Sequence, residues 1–225
     1  MSSRYLFDEE EMGALCAAGQ RRRFRPGERL FDEGAETDYV IIIKHGTVKI
    51  SSVSAAGYEA VLAVRSAGEI IGEFSALDRQ PRSATVLALD DVDGVVVSGD
   101  RFRAFLRNNP DAALTMLSHV VARLREADRW RVEFGAYDVA GRVAKLLLEL
   151  SDKYGSRAPD GTGTTITVAL SQHDLAGATG SSREAVARVL RRLRERGAIV
   201  TERRRITILL PDVLREVAEA ADEAE

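Results

Sequence analysis

Two hydrophobic periods divide the chain. From about Phe24 to Ser98 the apolar residues come in short β-branched or alternating runs. These are Tyr39-Val40-Ile41-Ile42-Ile43, Thr47-Val48-Lys49-Ile50, Ala60-Val61-Leu62-Ala63-Val64, Ala84-Thr85-Val86-Leu87-Ala88-Leu89 and Gly94-Val95-Val96-Val97. Short runs of this kind, bounded by turn formers, predict strands. Glycines 27, 34, 46, 57, 68 and 94 punctuate them, and Pro26-Gly27 and Arg65-Ser66-Ala67-Gly68 are turn signals. The spacing predicts a β-roll or barrel.

From Asp100 the period becomes helical. Pro110-Asp111 can open a helix, since proline is tolerated in a first turn. After it Ala113, Leu117, Val120, Leu124, Ala127, Trp130 and Phe134 recur at steps of three and four, with Arg123, Arg125, Glu126 and Arg129 between them. A narrow apolar seam on a long charged helix predicts a coiled-coil contact between two copies of the chain. The alternative is a helix lying on the β-domain. Asp138 to Ser151 predicts a second amphipathic helix, Gly155 to Gly163 a loop, and Thr165–Val168 a short strand, followed by helix, turn, helix and hairpin. The chain therefore reads as α+β, with a β-roll at 1–108, a dimerisation helix at 109–136 and a helical unit closed by a hairpin at 137–225.

Composition narrows the function classes. The 225 residues are 45% hydrophobic and 30% charged, enough for a core without disulfides or metals. The single cysteine, Cys16, excludes a disulfide framework or a four-cysteine metal site within one chain. No uncharged apolar stretch reaches about 18 residues, so no membrane span is expected. Met1 to Met12 carries Asp8, Glu9, Glu10 and Glu11 and does not look like a secretory signal. A cytoplasmic protein is expected. His45, His119 and His173 are scattered, so no metal site is expected, and no nucleophile elbow, Walker loop or zinc-protease motif points to an enzyme. The net charge of −3 conceals an asymmetry. Between Arg183 and Arg205 stand nine arginines and three glutamates, a local charge of +6, whereas the residues after Arg205 sum to −5. A phosphate-facing patch on an acidic protein has this form.

Within that basic region, Leu170 to Leu193 has the grammar of a helix–turn–helix. Ser171 can cap a first helix, with Asp174 three residues on as an acidic capping-box partner. Gly180 supplies a tight turn. Ser181 or Ser182 caps a second helix that buries Ala185, Val186, Val189, Leu190 and Leu193 and exposes Arg183, Glu184, Arg188, Arg191 and Arg192. Residues at the start of such a helix reach base edges in a major groove, where arginine pairs with guanine and glutamate accepts from cytosine. Ile199–Thr201 and Ile206–Leu209, joined through Arg203 and Arg204, predict a β-wing whose arginines meet phosphate. Ser171 and Gln172, at the start of the first helix, complete the expected double-stranded-DNA contacts.

A second motif runs from Gly72 to Val86. Gly72 and a short helical turn through Phe74 and Ser75 offer backbone N–H groups to an anion, Arg82 a guanidinium fork and Ser83 a neutral donor. Glu73 can accept from a ribose hydroxyl. This segment resembles the phosphate-binding cassette of cyclic-nucleotide-binding domains. The helix–turn–helix resembles that of the Crp/Fnr regulators. With Phe24 to Gly34, the long helix and Asp138-Val139-Ala140-Gly141-Arg142, the resemblance covers nearly the whole chain in order.

The resemblance implies a jelly-roll sensor, a winged helix–turn–helix, and a homodimer on a palindromic operator with RNA polymerase as a further partner. It implies that Glu73 holds the ribose 2′-hydroxyl and that Arg82 and Ser83 hold the cyclic phosphate of cyclic AMP or cyclic GMP. Ser182-Arg183-Glu184 with Arg188 implies a TGTGA-like half-site. One position departs from the pattern. Where cyclic-AMP receptors place a Thr–Ser or Thr–Asn pair against adenine, this chain has Ala127 and Asp128. Three readings stay open: a vestigial pocket in a ligand-independent regulator, weaker cyclic AMP binding through phosphate and ribose, or a carboxylate at Asp128 or Glu126 that accepts from guanine N1–H and N2–H. The rival from another class is a cyclic-nucleotide module whose helical tail regulates a protein partner.

Overall fold

A computed structural model describes residues 6–158, 161–202 and 204–219. The chain divides into two compact units, Met1–Glu126 and Ala127–Glu225, with the boundary inside one long helix.

The first unit begins with α1 (Glu9–Ala17), capped by Asp8 in a capping box with Glu11. There follow β1 (Gln20–Phe24), β2 (Arg29–Phe31), β3 (Val40–His45), β4 (Thr47–Val53), β5 (Glu59–Ser66), β6 (Ile70–Ile71), α2 (Glu73–Asp78), β7 (Thr85–Ala88), β8 (Val92–Val97) and α3 (Gly99–Asn108). The strands form two antiparallel sheets, ordered β1-β8-β3-β6 and β2-β7-β4-β5.

Strand β3 shows why its sequence is an unbroken β-branched run. Both of its faces are buried, so neither can be polar. Ile41 and Ile43 belong to the core between the sheets, with Phe24, Phe31, Val48, Ile71 and Val86. Val40 and Ile42 point the other way, into a second core closed by Leu15 of α1 and by Phe102 and Leu106 of α3.

The long helix α4 (Pro110–Ala136) splits its apolar residues between two uses. Ala112 and Met116 are buried in the second core, and Ala113 and Val120 pack against it. Leu114, Leu117, Val121 and Leu124 are exposed, the first, second and fourth by about 60%. Their steps of three, four and three are those of a coiled-coil seam. Of the residues the sequence assigns to one seam, Ala113 and Val120 lie on the β-domain core, as the alternative has it, whereas Leu117 and Leu124 are exposed.

The second unit continues with α5 (Val139–Tyr154), β9 (Gly155–Arg157), β10 (Thr164–Ile166), α6 (Gln172–Thr179), α7 (Arg183–Glu195), β11 (Ile199–Glu202), β12 (Arg205–Ile208) and α8 (Pro211–Glu219). The strands form a sheet ordered β11-β12-β10-β9. Residues 155–157, expected in a loop, pair with β10, and the expected strand at Thr165–Val168 starts one residue earlier and stops at Ile166.

The turn between α6 and α7 rests on the last turn of α4. Gly180 ends α6 in the left-handed region (φ 56°), and any Cβ there would run into the Phe134 ring. Arg142 stacks on the same ring, its guanidinium 4.5 Å from the Phe134 ring centre, while its Nε donates to Thr179 O at 2.9 Å. A side chain at position 180 therefore meets both backbone strain and a fixed ring. Gly180→Ala is expected to cost about 1–2 kcal/mol from the left-handed conformation alone. Thermal unfolding of the variant measures this, and an unchanged melting temperature would show that the turn relaxes freely.

Candidate effector cavity and nucleic-acid interface

The cassette residues converge. Gly72, Glu73, Phe74, Ser75, Arg82 and Ser83 line one cavity, with Phe31, Ile50 and Arg123 among its other walls. Strand β6 enters it through Gly72, whose φ of 81° and closeness to Arg82 and the Phe31 ring leave no room for a side chain. The cavity holds about 70 Å³, far below the roughly 300–1,000 Å³ of an ordinary small-molecule site.

The two charged residues expected to meet a ligand already have protein partners. Arg82 is 3% exposed. Its Nε donates to Thr37 Oγ1 (2.8 Å), Nη1 to Gly72 O (3.0 Å) and Nη2 to Tyr39 O (2.6 Å). The guanidinium also lies 3.8 Å from the Phe31 ring centre. Glu73, 2% exposed, is paired with Arg123 of α4, which also donates from Nη2 to Ile70 O at 3.1 Å. Burial pushes the Glu73 carboxyl up, against the opposing pull of the Arg123 and Arg65 charges. A ribose that bonds Glu73 competes with Arg123 for the carboxylate, and a phosphate finds three of the five Arg82 N–H donors already bonded.

Arg123 is the cavity-wall residue, paired with Glu73, that the motif reading misses. The available signal was the spacing of His119, Arg123 and Glu126, which puts three polar groups on one face of an otherwise half-apolar helix. Asp128, expected as a base contact, is exposed on α4 in the second unit. It stands four residues after Leu124 and so continues the exposed seam.

His119 adds a pH dependence. Burial first, then the Arg123 and Arg65 charges, push its imidazole from 6.5 down to about 4. Between those values the unfolded chain binds a proton that the folded chain does not, so stability falls as pH drops from 6.5 and levels off below about 4. At pH 5 this penalty is about 2 kcal/mol. His119→Gln is expected to narrow the gap between the denaturant midpoints at pH 7 and pH 5, and an unchanged gap would place the acid sensitivity elsewhere.

A second hollow, of about 380 Å³, lies on the β1–β8–β3 sheet and is lined by Arg21, Arg22, Arg23, Lys44, His45 and Asp93. Arg23 pairs with Asp93 at 2.8 Å and Arg22 with Glu28 at 3.5 Å. It shares no residue with the cassette.

The helix–turn–helix is built as its caps predict. Ser171 and Asp174 form a reciprocal capping box at the start of α6, with Asp174 Oδ2 accepting from Ser171 N at 2.8 Å. Gln172 beside it is exposed. Ser182 Oγ accepts from Ala185 N at 3.1 Å and starts α7. Val186, Val189, Leu190 and Leu193 are buried, and the opposite face exposes Arg183, Glu184, Arg188, Arg191 and Arg192. Hydrogen bonding at the helix start, with the nearby Arg183 and Arg188, holds the Glu184 carboxyl below its ordinary range. It is therefore available as a charged acceptor. In the wing, the turn between β11 and β12 places Arg204 in the left-handed region at φ 56°, while Arg203 lies outside the described residues. A bulky residue in that conformation carries strain, and its exposed guanidinium is the return on it.

Comparison with known proteins agrees with both halves. The cyclic nucleotide-binding domain family matches residues 21–109, and the Crp-like helix-turn-helix domain family matches residues 141–217. A CRP-like cAMP-activated global transcriptional regulator of Mycobacterium tuberculosis is 30% identical over 206 residues, covering 90% of this chain and 91% of that protein. A cyclic AMP receptor protein of Thermus thermophilus is 30% identical over 190 residues, covering 84% of each. Among solved structures, a CRP-family transcriptional regulator from Thermus thermophilus superposes with a TM-score of 0.75 at 25% identity, covering 91% of this chain and all of the other. The fold and the two sites define a DNA-binding transcription regulator with a cyclic-nucleotide-binding domain. The chain belongs to the Crp/Fnr family. No helix among the described residues is long and apolar enough to cross a membrane, and none of them form a group of three metal-ligating side chains.

Proposed function

We propose that the chain acts in the cytoplasm as a homodimer on a palindromic operator with TGTGA-like half-sites, gated by a cyclic nucleotide and working through RNA polymerase. Residues 1–108 would sense, 109–136 pair the two copies and 137–225 bind DNA. The observation that carries the reading is the exposed face of α7. Arg183, Glu184 and Arg188 point outward from its first turns, and its other side is fully buried. Arg204 stands ready for phosphate on the wing. The names of the mycobacterial and Thermus relatives support cyclic AMP as one candidate effector.

The occupied state of Arg82 and Glu73 supports a closed conformer in equilibrium with an open one. A nucleotide would then bind with its intrinsic affinity reduced by the open fraction. It would shift DNA binding only through its preference for one conformer. The second reading, a regulator that needs no nucleotide, draws on the same geometry, since three of the five Arg82 N–H donors and the Glu73 carboxylate already have protein partners. Fluorescence anisotropy on a palindromic operator, with and without cyclic nucleotide, separates the two. A nucleotide-dependent gain of tenfold or more, abolished by Arg82→Ala, supports gating. Equal, tight binding under both conditions supports the ligand-independent regulator, and no operator binding at low salt removes the DNA reading.

A further inference from the structure

We propose that the hollow on the β1–β8–β3 sheet is a binding site for a compact oligophosphate, separate from the cassette. Its position follows from where α1 stops. Pairing sets Arg21 opposite Val95, Arg23 opposite Asp93 and Ile42 opposite Val95. Opposed residues share a face, and alternate residues along a strand return to it. Arg21, Arg23, Asp93 and Lys44 therefore stand on the face that carries Ile42 and Val95. Met12 and Leu15 of α1 cover that face where Ile42 and Val95 join the second core. Helix α1 ends at Ala17, with Cys16 Sγ 3.9 Å from Lys44 Nζ, and past it Arg21, Arg23 and Lys44 are exposed. The hollow they line holds about 380 Å³, inside the roughly 300–1,000 Å³ of an ordinary small-molecule site.

The lining carries more positive charge than the protein neutralises. Arg21, Arg22, Arg23 and Lys44 face one lining carboxylate, Asp93, with His45 beside them. Asp93 pairs with Arg23 and Glu28 with Arg22, which leaves a surplus of two positive charges. No ion pair holds Arg21 among the described residues. Strand β1 is an edge of its sheet, and edge strands are commonly guarded by charge against pairing with another chain. That accounts for arginine on β1. It does not account for Lys44 and His45, which come from β3 in the interior of the sheet.

The donors suit phosphate. Guanidinium forks take phosphate in bidentate fashion, and lysine takes it as a point charge. Same-face residues on a strand stand about 7 Å apart, close enough for two long arginine side chains to converge on one group. A concave site with surplus charge is best matched by an anion that packs several charges into a small volume, as linked phosphates do. Carboxylates along an extended peptide are spaced by the strand repeat, so few of them enter the hollow together.

The test is calorimetric titration of the full-length protein, at constant ionic strength, with inorganic tripolyphosphate, ATP, sulfate and a short poly-glutamate peptide. Tripolyphosphate is expected to bind, and Arg21→Gln combined with Lys44→Gln to weaken it at least about tenfold. Both side chains are exposed, so the variant is expected to fold as the parent does. Asp93→Asn, which removes the lining carboxylate, is expected to tighten binding about threefold or more. ATP binding as tightly as tripolyphosphate identifies the phosphate chain as the whole ligand, and tighter ATP binding that the double variant also loses adds a nucleoside. Sulfate binding equally well would reduce the hollow to a general attraction for anions and overturn the proposal. Tighter binding of poly-glutamate would overturn it in favour of an acidic protein surface. An unchanged affinity in the double variant would put the anion elsewhere on the chain. None of these outcomes touches the cyclic-nucleotide reading, because hollow and cassette share no residue.

Discussion

Leu117→Asp combined with Leu124→Asp is expected to yield a folded monomer that no longer retains a palindromic operator at concentrations where the parent chain does. Both leucines are exposed by about 60% on α4, so the single chain loses no packing when they change. Exposed substitutions of this kind usually move folding stability by no more than about 0.5 kcal/mol. In a self-paired seam the same two positions are buried twice, once from each copy. Burying four leucines contributes on the order of 6 kcal/mol to association, about four powers of ten in the dimer constant, before the cost of burying carboxylates is added. A dimer reads two half-sites at once, and a monomer keeps only one. Light scattering gives the oligomeric state, circular dichroism the fold and a gel shift the operator affinity. A variant that remains dimeric would place the interface on another face of the chain.

The parts of this molecule that the sequence makes legible are those in which one local period serves one purpose. Strand β3 is an example, since burial on both faces forces the run Val40-Ile41-Ile42-Ile43. The caps at Ser171 and Ser182 are another, because each bonds a backbone amide only three residues away. What escapes is either short or non-local. Helix α3 buries only Gly99, Phe102 and Leu106, and α8 only Leu214 and Ala218, too few positions to stand out as a period. The cassette was visible as a list of residues, and the structure gathers those residues around one cavity. The protein partners of Arg82 and Glu73 are not visible in that list. The groups that occupy Arg82 come from Thr37 and Tyr39, more than forty residues earlier, and the partner of Glu73 is fifty residues later. No spacing rule reaches that far. The apolar positions of α4 read as one stripe because a helix with one packed and one exposed apolar face superimposes two stripes, and only packing separates them.

Arg183→Ala and Arg204→Gly are expected to weaken DNA binding in different ways, and the difference tests whether α7 reads bases. Arg183 is the first residue of α7, directly after the Ser182 cap, and is exposed. From that position a guanidinium can engage guanine O6 and N7 together, and losing the contact costs about 1–3 kcal/mol at one base pair. Operator affinity should therefore fall roughly 5- to 150-fold per half-site, about 30-fold or more for the dimer, while affinity for random DNA falls much less, and preference should relax at a single position of each half-site. Arg204 sits instead in the wing turn, in a left-handed conformation that glycine adopts without strain. Arg204→Gly thus removes a charge without adding a backbone penalty. It should lower affinity for operator and random DNA alike and flatten the dependence of log affinity on log salt by about one unit per monomer. The measurement is anisotropy on operator, single-base variants and random duplex across a salt series. If Arg183→Ala weakens all sequences equally and flattens the salt slope as Arg204→Gly does, the start of α7 lies along the phosphate backbone and base reading must come from another part of the unit.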